Sequence, residues 1–137
     1  MPSLNSVLET VLYVDDLDRA DGFYRGTLGL TCIHSDFRMR AYDVGGRGVL
    51  LLFPRGGSLQ PIETPGGTIP PHDGQGPAHV AFAIDADALA DWERQLGAAS
   101  VDIEGRTRWP RGGASLYFRD PDGHLLELAT PGLWKGY

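Results

Sequence analysis

In the stretch GHLLELATPG, residues 123–132, one carboxylate, Glu127, is set in a run of leucines. An ionised carboxylate withdrawn from water must be paired, protonated or bound to a cation, because its desolvation is costly. Other groups of reactive type stand elsewhere in the chain. His72, in IPPHDGQG, has a side chain that ordinarily titrates near neutrality and could act as a general acid or base over a site. Tyr117 precedes Glu127 across the turn sequence DPDG, a spacing that predicts the two opposite each other on neighbouring strands. Arg108 and Arg111 bracket Trp109 in TRWPRGG. There the guanidinium groups could hold an anion and the indole could stack on a flat substrate, or the loop could serve a subunit contact.

These residues need a scaffold, and an internal repeat supplies one. GVLLLFPRGG (48–57) lies over GHLLELATPG with coincident glycine ends and paired leucines, and Tyr42 then falls over Tyr117. In a second register ETVLYVD (9–15) lies over HVAFAID (79–85), which sets Glu9 over His79. Two registers imply one unit used twice, with a few residues inserted in the second copy. Each copy begins with a strand, at 7–14 and at 78–84. A helix follows, with apolar residues three or four apart: Leu17, Ala20, Tyr24 and Leu28, then Leu89, Trp92 and Leu96. Asp16 and Asp85 are the expected N-caps, and Gly29 and Gly97 the expected stops. Three strands complete each copy, at 30–35, 38–44 and 49–53, then at 101–103, 115–118 and 125–129. The expectation is α+β, with two tandem βαβββ modules at about 5–54 and 78–130. The aperiodic, Pro- and Gly-rich residues 55–77 form a linker or lid, and the aromatic tail 131–137 packs on the body or on a second subunit.

Gross composition narrows the function. A formal net charge of −6 and a pI near 5.0 supply none of the clustered positive charge that nucleic acids or anionic lipids select. The longest apolar run, 49–53, is far too short to cross a bilayer. The single cysteine, Cys32, cannot close an intrachain disulfide, and no basic start followed by an apolar stretch opens the chain, so the cytoplasm is the expected compartment.

Two such modules, with His79 opening the fifth strand, RDPDGHLLEL closing the second module and YVDDLDRADGFYRGTLGL (13–30) in the first, resemble the vicinal-oxygen-chelate superfamily. That is the superfamily of glyoxalases, bleomycin-resistance proteins and extradiol dioxygenases. The resemblance implies a curled eight-stranded mixed sheet that holds a metal and a small-molecule substrate. It implies ligand positions in the first and last strands of each module, here Glu9, Leu52, His79 and Glu127. Three of these are of ligand type and one is not. One imidazole and two carboxylates suit a divalent first-row ion such as Fe, Mn, Zn, Ni or Co. Taken singly, the same residues also read as an edge-strand glutamate, a core histidine and an arginine-paired carboxylate.

The resemblance further implies a metal-dependent lyase, isomerase or extradiol-type dioxygenase that chelates its substrate through adjacent oxygens. A leucine in the second position disfavours the methylglyoxal–glutathione isomerase, which resembles a four-ligand plan with a proton-carrying carboxylate there. Fosfomycin-modifying transferases and extradiol dioxygenases use the same three positions, normally with histidine in the first. In ring-cleaving dioxygenases a tyrosine placed like Tyr117 hydrogen-bonds substrate oxygen; the other reading makes Tyr117 and Tyr42 a pseudo-symmetric packing pair. The competing function is a metal-free, bleomycin-resistance-like protein that binds a small molecule or drug. A homodimer is expected, with modules paired within one chain or exchanged between two.

Overall fold

The computed structural model describes all residues, 1–137, which form two compact units, Met1–Gln75 and Gly76–Tyr137. The first unit has strand β1 (Glu9–Val14), helix α1 (Leu17–Asp21) continuing as a π-helical stretch (Gly22–Thr27), then β2 (Thr31–Ser35), β3 (Arg40–Val44) and β4 (Gly48–Pro54). A hairpin, β5 (Ile62–Thr64) and β6 (Gly67–Ile69), follows. The second unit has β7 (His79–Ala83), α2 (Leu89–Ala98), β8 (Gly105–Arg108), β9 (Ala114–Arg119) and β10 (Leu125–Ala129). The expected βαβββ order thus appears twice. Hydrogen bonding divides the eight principal strands into two four-stranded sheets of identical pattern, β1-β4-β3-β2 and β7-β10-β9-β8. In each sheet the first and last strands of the module pair in parallel and the remaining pairs are antiparallel.

Strand alternation gives each sheet two faces. In the first unit Leu12, Val14, Tyr42, Leu50 and Leu52 share one face and are nearly inaccessible, as are Ala20 and Tyr24 of the helical segment. The Tyr42 hydroxyl donates to Asp21 Oδ1 at 2.7 Å, which satisfies the one polar atom that this aromatic brings into the core. In the second unit Leu116, Phe118, Leu126 and Leu128 are buried together with Leu96 of α2. Each such side chain contributes roughly 1.5–3 kcal/mol by leaving water.

Local signals were obeyed unevenly. Asp16 caps α1 by accepting from the Arg19 amide at 3.0 Å, a bond that lowers the pKa of its carboxyl. Asp85 does not cap α2: its carbonyl accepts from Ala88 N–H in a preceding turn, and the helix starts three residues later than expected. Gly97 lies inside that helix, which is ended by Ser100 with a left-handed φ of 58°. Two glycines, Gly22 and Gly26, lower the helix propensity of the first helical segment, and the backbone there widens, with Leu28 N–H bonding Phe23 O. The second strand of module two forms at Gly105–Arg108, not at 101–103, because β9 selects its partner by pairing and not by β-propensity. Residues 55–77, expected to be aperiodic, contain the Pro65-Gly66 hairpin in which Ile62 pairs with Ile69. The tail folds onto its own unit, with the Tyr137 hydroxyl donating to Ala129 O at 2.6 Å.

Candidate functional site

The central strand β10 brings Glu127 into position. It runs between β7 and β9, so both of its edges are hydrogen-bonded, and Glu127 is only 5% exposed. Tyr117 on β9 stands directly opposite Glu127, and His79 on β7 is opposite Leu125, two residues away along β10. Same-face alternation therefore points His79, Glu127 and Tyr117 to one side of the second sheet. The His79 and Tyr117 rings lie nearly parallel, with centroids 6.4 Å apart.

His79 Nδ1 lies 2.8 Å from Leu125 O, and a carbonyl can only accept. Nδ1 therefore carries the proton, and in the neutral imidazole Nε2 presents a lone pair. That lone pair faces Glu127 Oε2 at 3.2 Å. The other carboxylate oxygen, Glu127 Oε1, is buried and has no hydrogen-bond partner. Two acceptors confronting one another, beside a buried oxygen left unanswered, leave room for a positive charge: a proton on Nε2 or a metal ion. The imidazole oriented through its second nitrogen by a backbone carbonyl is the arrangement that metal-binding histidines adopt. These residues thus fit a divalent first-row cation, with His79 Nε2 and Glu127 as donors. Within each unit taken by itself, no group of three or more His, Cys, Asp or Glu side chains converges. Glu9, the third sequence candidate, belongs to the first unit, where it opens β1 opposite Val49.

Corrections concern facing. Since Glu9 pairs with Val49, its face of the first sheet continues through Leu51 and Phe53, and Leu52 turns to the helix side, fully buried. The counterpart of Glu127 is thus Leu51, one residue from the position that the sequence repeat suggests. The side chain there is again a leucine. The same shift separates the tyrosines: Tyr42 packs in the first unit's core, with its ring 6.0 Å from that of Tyr24, whereas Tyr117 stands on the His79–Glu127 face, so they are not a symmetric pair. In β8, Gly105 and Thr107 pair with Tyr117 and Ser115, so Arg106 and Arg108 lie on the opposite face, where Arg106 reaches Glu93 of α2 at 3.3 Å. Arg108 therefore lies on the other face of the sheet from Tyr117. Trp109 borders the Tyr117 face, with its indole N–H donating to Ser115 Oγ at 2.8 Å. Arg111 is exposed in the following turn.

His72 is held in the first unit and does not swing free. Its Nδ1 is 2.6 Å from the Tyr13 hydroxyl, its ring packs edge-on to Phe53 at 4.8 Å, and its amide donates to Ser58 O. Burial first, and the nearby negative charge of Asp73 second, raise the pKa of the Tyr13 phenol. The Tyr13 hydroxyl and His72 Nδ1 share this hydrogen bond, whose direction follows the imidazole tautomer. His72, Tyr13 and Glu9 line one cavity of about 410 Å³ together with Arg38. Sequence reasoning did not single out Tyr13 or Arg38. The alternation Glu9, Val11, Tyr13 along β1 was the available signal for the first, and nothing in the sequence marked the second.

No helix is long and apolar enough to cross a membrane. A family model described as the glyoxalase/bleomycin resistance protein/dioxygenase superfamily matches residues 6–128. Among curated proteins, the chain is 31% identical over 93% of its length to a metallothiol transferase FosB of Shouchella clausii, of which it covers 81%. It is 47% identical to FosB of Staphylococcus saprophyticus over 38% of its own length, a match that spans only about a third (35%) of that protein. Among solved structures, a lactoylglutathione lyase from Agrobacterium tumefaciens superposes with a TM-score of 0.87 at 33% identity, over 97% of this chain and 98% of that one. The twice-used βαβββ unit and the family match over nine-tenths of its residues agree: the chain belongs to the glyoxalase/bleomycin resistance protein/dioxygenase superfamily.

Proposed function

We propose that the protein is a metal-dependent enzyme acting on a small molecule, with chemistry of the transferase or lyase kind at an oxygen-bearing substrate. The observation that carries this reading is the confrontation of His79 Nε2 and Glu127 Oε2 at 3.2 Å beside the unanswered Glu127 Oε1. A divalent first-row ion bound there supplies Lewis-acid polarisation of a substrate oxygen. The chain's own residues do the rest. Leu125 O keeps the proton on His79 Nδ1 and so keeps the Nε2 lone pair directed to the ion. Glu127 contributes a negative charge whose burial is tolerable only when answered. Tyr117, opposite Glu127, holds a phenolic proton that can be donated to oxygen as negative charge develops on it. Glu9 is the proposed third ligand.

Leu51 bears on the reaction type. It stands where the first sheet's counterpart of Glu127 would be, and a leucine neither carries a proton nor binds a metal. Proton relay between two carboxylates, as an isomerase of the methylglyoxal–glutathione type would need, is therefore disfavoured. Addition of a nucleophile such as a thiol does not require that second carboxylate, and the similarity to metallothiol transferases supports it.

Metal analysis tests the reading. Protein purified without chelator or nickel resin should bind about one first-row divalent ion per chain, in a stoichiometry set by one ligand cluster. Glu127→Ala and His79→Ala should each lose it. Loss in Glu9→Ala would support the third ligand, and retention at full affinity would remove Glu9 from the set. Failure of the unaltered protein to bind Mn(II), Zn(II), Ni(II), Co(II) or Fe(II) would sink the proposal. With metal bound, thiol consumption with a panel of small electrophiles distinguishes transfer from elimination.

A further inference from the structure

The cavity in the first unit has its own composition. About 410 Å³ in volume, it falls in the range of small-ligand sites. Its walls are apolar, with Val11, Met39, Leu51 and Phe53 from the sheet, and Ile62 and Ile69, a cross-strand pair, from the β5–β6 hairpin. Phe53, Tyr13 and His72 add a cluster of rings, with centroids 4.8–6.5 Å apart. Against this apolar and aromatic lining stands one guanidinium, that of Arg38.

Arg38 differs from three other arginines of its unit. Arg25 is paired with Asp21, Arg40 with Asp18 and Arg55 with Asp15. Arg38 is half-buried, and no carboxylate within the unit answers it. Its backbone is nevertheless fixed. Asp36 Oδ1 accepts the amides of Arg38 and Met39 at 2.7 and 2.9 Å, while Asp36 Oδ2 is 2.9 Å from His34 Nε2. Arg40 Nη1 in turn donates to Asp36 O and Met39 O. The loop that carries Arg38 is therefore pinned from both sides, while its guanidinium is left for something else. A guanidinium presents a planar fork of donors that suits an oxyanion. The other ionisable groups in the lining do not compete for it. Glu9 forms no ion pair with Arg38, and His72 is engaged by Tyr13.

We infer that the first-unit cavity is a binding site for a small organic acid with a flat apolar body, its anionic head held by Arg38 and its body lying against Phe53 beneath the β5–β6 hairpin. This site stands on the cavity alone. Only the further step, that the acid is the enzyme's substrate, rests on the metal-dependent reading above.

The test uses 2-naphthoate and its neutral isostere 2-naphthamide as probes, with full-length protein in chelator, so that metal plays no part. Calorimetry should show naphthoate binding at least about tenfold more tightly than naphthamide, the difference expected of a charge-assisted hydrogen bond. Arg38→Met keeps the apolar stem, and it should bring the two probes to equal affinity while naphthamide binding holds. Arg47→Met, in the exposed β3–β4 turn, should leave the naphthoate preference intact, which separates local recognition from loss of a surface charge. Equal affinity of the two probes for the unaltered protein, or a preference that survives Arg38→Met, overturns the proposal. Because the measurement is made without metal, a protein that fails to bind metal can still pass, and one that binds metal can still fail.

Discussion

His79 Nε2 and Glu127 Oε2 face each other at 3.2 Å as two acceptors, since the proton of the neutral imidazole is committed to Leu125 O on the far side of the ring. With the imidazole neutral, the pair is answered only when a proton or a metal ion comes between them. Glu127→Gln should remove that need, because an amide N–H can donate to Nε2. In chelator the variant should be as stable as the unaltered protein or more stable by about 1 kcal/mol. In Mn(II) or Zn(II) at a hundred times the dissociation constant, the unaltered protein should gain about 2.7 kcal/mol and the variant almost nothing. Thermal unfolding with and without metal checks both halves.

The facing of β4 gives a second expectation. Leu52 is fully buried on the helix side, whereas Leu51 looks into the cavity. Leu52→Glu places a charge in the core with no partner and should cost more than about 3 kcal/mol, enough to threaten folding. Leu51→Glu can hydrate its carboxylate through the cavity and should cost about 1–3 kcal/mol. Urea unfolding of the two variants compares them. The reverse order would mean that the register is wrong.

Alkaline stability should depend on Tyr42. Burial, and then the hydrogen bond and charge of Asp21, push its phenol far above the ordinary tyrosine range. A folded-state pKa above the unfolded one favours the protonated phenol in the fold. Its contribution is complete below about pH 10, the unfolded value, and declines as pH rises from there toward the folded value. Tyr42→Phe should be less stable at neutral pH by about 1 kcal/mol, from the lost bond to Asp21, yet lose less stability between pH 9 and pH 11. Urea midpoints across that window give the comparison.

The C-terminal tail is held by close backbone approach. Gly132 has a φ of 103°, and a Cβ there would meet Gly113 N and, at 2.8 Å, Arg111 O. Gly132→Ala should cost at least about 1–3 kcal/mol through backbone strain alone, before any clash. It should also release residues 131–137, which limited proteolysis with mass analysis would show as early cleavage before Tyr137.

The sequence carried the order of elements well, because the two copies of one unit checked each other. It carried facing poorly in β4 for a definite reason. A central strand is apolar on both faces, so Leu50, Leu51 and Leu52 offer no alternation to read, and a slip of one residue changes nothing visible in the string while exchanging the faces. Glu127 escaped that ambiguity because a carboxylate among leucines marks its own position. Its opposition to Tyr117 was legible from the turn length and is met by the observed register. The facing of Arg108 was not legible, because the β8 register is set by pairing with β9, which TRWPRGG does not encode locally. The tether from His79 to Leu125 O and the solitary state of Arg38 were beyond sequence reading, since both depend on what other side chains and carbonyls leave unsatisfied.

Leu51 has a consequence beyond the choice of reaction. By holding a hydrocarbon where the other repeat holds a carboxylate, it makes the duplicated sheets unequal: one carries His79 and Glu127 on a shared face and the other an apolar cavity wall. Two inheritable properties are thereby assigned to different strands of the same repeat. If His79 and Glu127 hold the ion and the first-unit cavity holds the acid, substitutions at Leu51, Phe53, Ile62 or Ile69 should change which acids bind while ion affinity stays fixed, and the two sets of changes should combine additively. A directed library confined to those four wall positions, assayed for both acid binding and ion binding, would test that separation.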